Sequence, residues 1–160
     1  MITNLIDTID VAAVLHELNT IDNIVWTNYP QGKQVGIQYK LGEDPWTSAV
    51  GKSQGNETKY TEINPFFKDT IFETVIEKYN LKKTRLMWIN SKSCYSLHSD
   101  ETPRIHIPLI TNPECYFLFK SGSLHHLAAG SVWWVNTKLH HTFLNCSDYP
   151  RLHLVGIVDN

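Results

Sequence analysis

From residue 84 onward, the sequence is a succession of short segments rich in β-branched and aromatic residues, and no helical pattern interrupts them. Clusters of Gly, Pro, Asn and Ser separate these segments, as expected for turns between strands. Parallel sheets need crossover helices, so the succession favours an antiparallel sandwich, barrel or jelly roll. The predicted strands cover residues 23–29, 34–40, 84–90, 94–100, 104–111, 115–120, 131–136, 140–145 and 151–158.

Two amphipathic helices are predicted in the N-terminal half of the chain. The first follows Thr8 as its N-cap, where apolar residues recur at helical spacing. The second covers residues 64–80, with Asn64 as the N-cap and Pro65 at the first helical position. Residues 41–62 are polar and are predicted to form a loop, which is long enough to be a lid over a site.

Composition limits the classes of protein to which the chain can belong. At 160 residues, with 42% hydrophobic content, it is expected to form one soluble domain over residues 1–160. A net charge of −2 argues against a nucleic-acid partner, and no apolar stretch approaches the ~20 residues that a membrane span requires. Three cysteines without a CxxC pair, and no basic signal-peptide region, predict a cytoplasmic protein with reduced thiols.

The histidines suggest a metal site in the strand-rich region. There are eight, and all except His16 lie between residues 98 and 153. His98 and Asp100 end a predicted strand, where residues two apart point to the same side and can reach one cation together. Two histidines and one carboxylate are the usual ligand set of non-haem Fe(II), and residues 140–141 can supply the second histidine. HxD alone is a weak pattern, and chance or core histidines are the simpler explanation for it.

Two arginines strengthen the metal hypothesis. Arg104 and His106 share one face of a predicted strand, and so do Arg151 and His153. Arginines in strands are usually solvated, but an arginine near a metal site suits a ligand with carboxylates, because its planar fork binds them bidentately. Arg85 has two open interpretations, a surface ion pair or a contact to a substrate carboxylate.

The combination of HSD, RIHIPLITN, GSVWWVN and HHTFLNCSDYPRLHLVGIVD resembles the 2-oxoglutarate- and Fe(II)-dependent oxygenases of the aspartyl/asparaginyl β-hydroxylase type. By motif it is also similar to the bacterial hydroxylases of free proline. The resemblance is strong over about 60 residues, from His98 to Asp159, and loose before them. It implies an all-β core, a double-stranded β-helix (a cupin-like jelly roll), with two flanking N-terminal helices.

The resemblance also assigns roles to residues of the site. It implies that His98, Asp100 and His141 are the catalytic iron ligands. His141 is favoured over His140 because the distal histidine of the family precedes the cosubstrate-binding arginine by ten positions, and that arginine corresponds here to Arg151. Arg104 and His106 match an RxH pair that also borders the cosubstrate.

The activity implied by the resemblance is hydroxylation of an unactivated C–H bond. The substrate would be an amino acid, free or within a peptide, and the cofactor set would be Fe(II), the cosubstrate 2-oxoglutarate and O2, with release of succinate and CO2. Two alternatives stay open: the same chemistry on a lipid acyl chain or other small carboxylate, and a non-catalytic metal-binding cupin or β-sandwich binding module.

Overall fold

The computed structural model describes residues 1–52 and 55–159, which form two helices and a set of antiparallel strands. The helices are α1 (Val11–Leu18) and α2 (Ile71–Tyr79). The strands are β1 (Thr3–Thr8), β2 (Thr27–Tyr29), β3 (Gly32–Gly36), β4 (Gln38–Tyr39), β5 (Glu62–Ile63), β6 (Lys82–Ile89), β7 (Ser93–Cys94), β8 (Arg104–Ile110), β9 (Cys115–Phe119), β10 (Leu124–His125), β11 (Ser131–Val135), β12 (His141–Asn145) and β13 (Arg151–Ile157).

Two antiparallel sheets face each other, and the chain passes repeatedly from one to the other. The large sheet has the strand order β1-β11-β8-β13-β6-β3-β2, and the small sheet has the order β10-β9-β12-β7. From β6 to β13, the chain alternates between the sheets: β6, β8, β11 and β13 lie in the large sheet, and β7, the β9–β10 pair and β12 lie in the small sheet. This is the winding of a double-stranded β-helix, so the predicted jelly-roll fold is confirmed.

Each face of the large sheet has a different chemical character. The aliphatic residues of β8 and β13, such as Ile105 and Leu152, belong to a core that includes α1 and α2. The alternate residues, among them Arg104, His106 and Arg151, therefore face the small sheet. A second, aromatic core that includes Phe117, Phe119 and Phe143 lies on this side. The polar strand faces thus point into the interior of the sandwich, and the helices cover the apolar face.

The helices differ in detail from the prediction. Asp10 rather than Thr8 caps α1, since its side chain accepts a hydrogen bond from the backbone N–H of Ala13. Residues 64–80 are not one helix: Asn64 caps a 3-10 turn over Pro65–Phe67, and α2 starts only after Thr70. The helix is broken at Asp69, which has a left-handed backbone with φ 58°.

The loop over residues 41–62 is largely confirmed, with some local structure. It contains a 3-10 turn at Glu57–Lys59 and ends as β5 begins; Ser53 and Gln54 lie outside the described residues. The N-terminal strand β1 was not predicted, and of the predicted strand 94–100 only Cys94 lies in a regular strand. The two helices of the described residues have eight and nine residues, and neither is long enough to cross a bilayer.

Candidate functional site

A cavity of about 430 Å³ opens between the two sheets. Its wall on the large sheet comes from β6, β8 and β13, and its wall on the small sheet comes from β9 and β12. Residues of the loop over 41–62 also border it. The lining includes Gln34, Gly51, Lys52, Glu57, Lys83, Arg85, Met87, Tyr95, His98, Asp100, Arg104, His106, Phe117, His141, Phe143 and Val155.

Three of the predicted site residues meet at this cavity. His98, Asp100 and His141 each offer one ligand atom, and these atoms all lie within 4.8 Å of one another. The backbone sets this arrangement, because the N–H of each histidine donates to the carbonyl of the other, at 3.0 and 2.8 Å. Asp100 is anchored by its own N–H, which donates to the carbonyl of Thr137. We call these three residues the His98–Asp100–His141 group.

Hydrogen bonds to the backbone orient both imidazoles of the group. Nδ1 of His98 lies 2.7 Å from the carbonyl oxygen of Ser96, and Nδ1 of His141 lies 2.8 Å from that of Leu139. A carbonyl only accepts, so each Nδ1 carries a proton and Nε2 is the ring atom left to face a metal. Burial lowers the pKa of His141, which favours its neutral form. Both histidines are therefore in the tautomer that a metal ligand needs.

Arg104 faces the carboxylate of the group. Its Nε donates to Oδ2 of Asp100 at 3.3 Å, and a terminal nitrogen lies 3.2 Å from Oδ1. Burial is the largest single effect on Asp100 and raises its pKa, but the charge and hydrogen bond of Arg104, together with the nearby His141 and His98, lower the pKa overall. Asp100 is thus an anion at neutral pH. The carboxylate and the two imidazoles form a donor set that suits a divalent transition metal.

Two buried histidines lie deeper in the sandwich. His106 lines the cavity, and its ring meets that of Phe117 edge-on at 4.7 Å between centroids. His153 is 1% exposed, and neither of its ring nitrogens has a hydrogen-bond partner among the described residues. Burial lowers the pKa of both, so both are neutral. Nδ1 of His106 is also without a partner within the described chain.

Arg151 is buried and incompletely paired. It is 2% exposed. Its Nε and one of its two terminal nitrogens have no hydrogen-bond partner among residues 1–52 and 55–159. Burial lowers the pKa of the guanidinium, yet an arginine stays charged at neutral pH. Its guanidinium lies over the ring of Phe143. A buried cation with free donors is costly, and an anionic ligand would relieve that cost.

The remaining predicted positions fall where the simpler explanations placed them, with one exception. His140 is exposed and outside the His98–Asp100–His141 group. Arg85 is the exception, because it is buried rather than in a surface ion pair. One of its terminal nitrogens donates to the carbonyls of Ala49 and Gly51, at 2.9 and 2.8 Å.

Sequence reasoning missed two charged residues of the cavity wall, Lys83 and Glu57. Their side chains are almost fully buried and form an ion pair at 2.8 Å. The alternation of Lys83, Arg85 and Met87 along β6 is the same signal that identified Arg104 and His106, and it could have revealed Lys83. Glu57 carries no such signal, because it lies in the irregular loop.

Comparison with known proteins identifies the family of this chain. The family model for aspartyl/asparaginyl beta-hydroxylase matches residues 10–159, nearly the whole chain. The chain belongs to this family. Membership in the aspartyl/asparaginyl β-hydroxylase family confirms the resemblance predicted from the motifs.

Among curated proteins, the chain is similar to L-proline cis-4-hydroxylase of Rhizobium meliloti (strain 1021). The two are 29% identical over 104 residues, which is 61% of this chain and 36% of that protein. The match therefore spans about a third of the relative's length. It supports the predicted similarity of this β-hydroxylase family member to proline hydroxylases.

Solved structures of cupins are among those to which this family member is similar. A cupin domain of Bordetella pertussis Tohama I has a TM-score of 0.44 and 15% identity, covering 50% of this chain and 82% of that one. A sugar phosphate isomerase from a cupin superfamily, of Silicibacter pomeroyi DSS-3, has a TM-score of 0.40 and 16% identity, covering 89% and 74%. Both TM-scores are below 0.5, and the jelly-roll fold is assigned here from the order of the strands in the two sheets.

Proposed function

We propose that the protein is a 2-oxoglutarate- and Fe(II)-dependent dioxygenase that hydroxylates an unactivated C–H bond of an amino acid, free or within a peptide. The observation that carries the proposal is the His98–Asp100–His141 group at the mouth of a cavity between the sheets, with its ligand atoms within 4.8 Å of one another. Two imidazoles and a carboxylate leave coordination positions of an iron ion open for other ligands.

The residues present fit both implied groups. His98, Asp100 and His141 would hold Fe(II), since each imidazole presents Nε2 and the carboxylate is ionised. Arg151 would hold the distal carboxylate of 2-oxoglutarate, because its free N–H donors are buried and charged. Bound together, these groups supply an oxidant from O2, with release of succinate and CO2.

The chain itself would orient the reactants and exclude water. The paired backbone of His98 and His141 fixes both imidazoles before a metal binds. The buried Phe117 and Phe143 exclude water from the inner wall of the cavity. Arg104 and His106 would border the cosubstrate as the family pattern implies, although Arg104 is already engaged by two carboxylates.

The substrate proposal rests on the charge of the cavity wall and on the relative. Lys83, Arg85 and Arg104 line one side, which favours a substrate with a carboxylate. The similarity to a protein named L-proline cis-4-hydroxylase supports a free amino acid. A lipid acyl chain or another small carboxylate is the alternative that the same charge permits.

We further propose that residues 1–160 form a single oxygenase domain in the cytoplasm. Cys94, Cys115 and Cys146 are free thiols, as expected in a reducing compartment.

The test is turnover of the cosubstrate. With Fe(II), ascorbate and 2-oxoglutarate, the protein should release succinate, detectable by NMR, and candidate amino acids should accelerate the release. His141→Ala should abolish it, whereas His140→Ala, the matched control on the exposed neighbour, should retain it. If neither metal nor 2-oxoglutarate raises the melting temperature of the wild-type protein, it is a binding module rather than an oxygenase.

A further inference from the structure

A carboxylate from the loop over residues 41–62 reaches the wall of the cavity. Glu57 lies in the 3-10 turn of that loop and is 6% exposed. Its Oε1 accepts hydrogen bonds from Nζ of Lys83 at 2.8 Å and from a terminal nitrogen of Arg104 at 3.1 Å. Its Oε2 accepts from the hydroxyl of Thr102 at 3.0 Å. A loop residue thus contacts two strands of the large sheet inside the sandwich.

The cations around Glu57 are buried as well. Lys83 is 2% exposed and Arg104 is 4% exposed, and Arg85 lies on the same wall. Burial, followed by repulsion from Arg85, lowers the pKa of Lys83 to about 8. Glu57 offsets part of this repulsion, so the carboxylate belongs to the electrostatics of the cavity and not only to the loop.

Arg104 divides its donors between two carboxylates. The terminal nitrogen that contacts Glu57 also faces Oδ1 of Asp100 at 3.2 Å, and Nε lies 3.3 Å from Oδ2. Charge-assisted N–H···O bonds are usually about 2.7–2.9 Å long. The contacts to Asp100 are longer than that, and so is the contact to Glu57, so Arg104 is shared between the two carboxylates and does not hold Asp100 in a tight fork.

We propose that Glu57 is a positioning residue for the metal centre. By sharing a terminal nitrogen of Arg104 with Asp100, it keeps the guanidinium from closing on the carboxylate that would bind the metal. The inference rests on the proposed role of the His98–Asp100–His141 group as metal ligands. It also connects the loop over residues 41–62 to the metal through a continuous series of contacts, from Glu57 to Arg104 to Asp100.

The test is metal affinity, measured without turnover. Co(II) serves as the probe, followed by its visible absorption and by titration calorimetry on the whole chain. In Glu57→Gln, Arg104 is released toward Asp100, and we expect Co(II) to bind about tenfold more weakly, in the range typical of residues that support metal ligands. Glu43→Gln is the matched control, because Glu43 is a carboxylate of the same loop that pairs with Lys40 outside the cavity. It should bind Co(II) like the wild type.

A second variant separates positioning from a purely structural role. Glu57→Gln leaves Lys83 as an unneutralised buried cation, which alone destabilises the fold. The double variant Glu57→Gln/Lys83→Met removes that cation and should recover thermal stability, but it should still bind Co(II) about tenfold more weakly with an altered spectrum. Recovery of wild-type Co(II) affinity in the double variant, or unchanged affinity in Glu57→Gln, overturns the proposal. Failure of the wild type to bind Co(II) overturns the proposed metal centre itself.

Discussion

The ring of Phe143 lies against the guanidinium of Arg151, with 3.0 Å between the ring centroid and the guanidinium carbon. Within the described chain, Phe143 lines the cavity, whereas Arg151 is not among its lining residues. The ring therefore lies beside the charged group that would hold 2-oxoglutarate, and we expect it to compete with a carboxylate for that group.

Replacing this ring should strengthen cosubstrate binding. In the wild type, a carboxylate that binds Arg151 must displace the cation–π contact with Phe143, which is worth about 1 kcal/mol. Phe143→Leu lacks this contact, so we expect it to bind 2-oxoglutarate about fivefold more tightly. Calorimetric titration of the metal-loaded protein measures this. Phe119→Leu, a buried aromatic position on the neighbouring strand β9, is the control and should bind as the wild type does. Weaker binding by Phe143→Leu would contradict a competing role for the ring.

Removing the charge of Arg151 should stabilise the ligand-free protein. Arg151→Met replaces a buried cation with free donors by an apolar side chain of similar length, and we expect the free energy of unfolding to rise by about 1–3 kcal/mol. The same variant should lose all stabilisation by 2-oxoglutarate. Urea unfolding with and without 2-oxoglutarate measures both effects. Lower stability in the absence of ligand would show that Arg151 has partners that satisfy it.

The buried Arg85 should behave in the opposite way to Arg151. Arg85→Met leaves the carbonyls of Ala49 and Gly51 without their donor, which should cost about 1–3 kcal/mol. Because these carbonyls belong to the loop over residues 41–62, trypsin should cleave after Lys52 faster in the variant. Mass spectrometry of the fragments identifies the cut, and Lys52→Gln in the same background should remove it. Equal cleavage rates in wild type and Arg85→Met would mean that Arg85 does not hold the loop.

Acid stability should depend on a contact between β1 and α2. Asp7 accepts a hydrogen bond from Tyr79 and pairs with Lys78 at 2.7 Å, and the hydrogen bond from Lys78 is the largest cause that lowers the pKa of Asp7 to about 2. A carboxyl with a lowered pKa in the folded state contributes stability above its unfolded pKa of about 4, and this is lost as the pH falls toward 2.

Asp7→Asn tests this contribution through the pH dependence of unfolding. The variant should be less stable than the wild type at pH 5, and the difference should shrink between pH 4 and pH 2. Lys78→Met should reduce the same difference, since it removes the main partner of Asp7. A gap between wild type and Asp7→Asn that stays constant down to pH 2 would mean that the charge of Asp7 has no role.

The parts of the site that could be predicted are those that follow a strand period. Arg104 and His106 were identified by alternation, and the structure places both side chains inside the sandwich, because a period of two fixes the face once the register is set. His98 and Asp100 also meet at one site, although they lie beyond the regular strand: His98 pairs with the backbone of His141, and the N–H of Asp100 donates to the carbonyl of Thr137. The family resemblance, through its ten-residue interval, implies His141 rather than His140, and the structure brings His141 to Asp100.

The parts that could not be predicted depend on contacts between distant segments. Strand β1 exists because β11 offers an edge for pairing, and Leu5 remains half exposed there. Phe67 lies four residues before Ile71, a helical interval, so the apolar periodicity continues across the break at Asp69 and conceals it. Glu57 finds Arg104 across an irregular loop, where no period relates the two positions.

The two ends of the proposed site belong to different sheets: His141 begins β12 of the small sheet, and Arg151 begins β13 of the large sheet. A molecule that contacts the metal at one end and Arg151 at the other would therefore connect the two sheets of the sandwich. Its length would have to match the gap between the sheets, so the spacing of the jelly roll itself would discriminate among 2-oxoacids. Such a connection would also make the free energy of unfolding of the whole domain rise with the concentration of the cosubstrate.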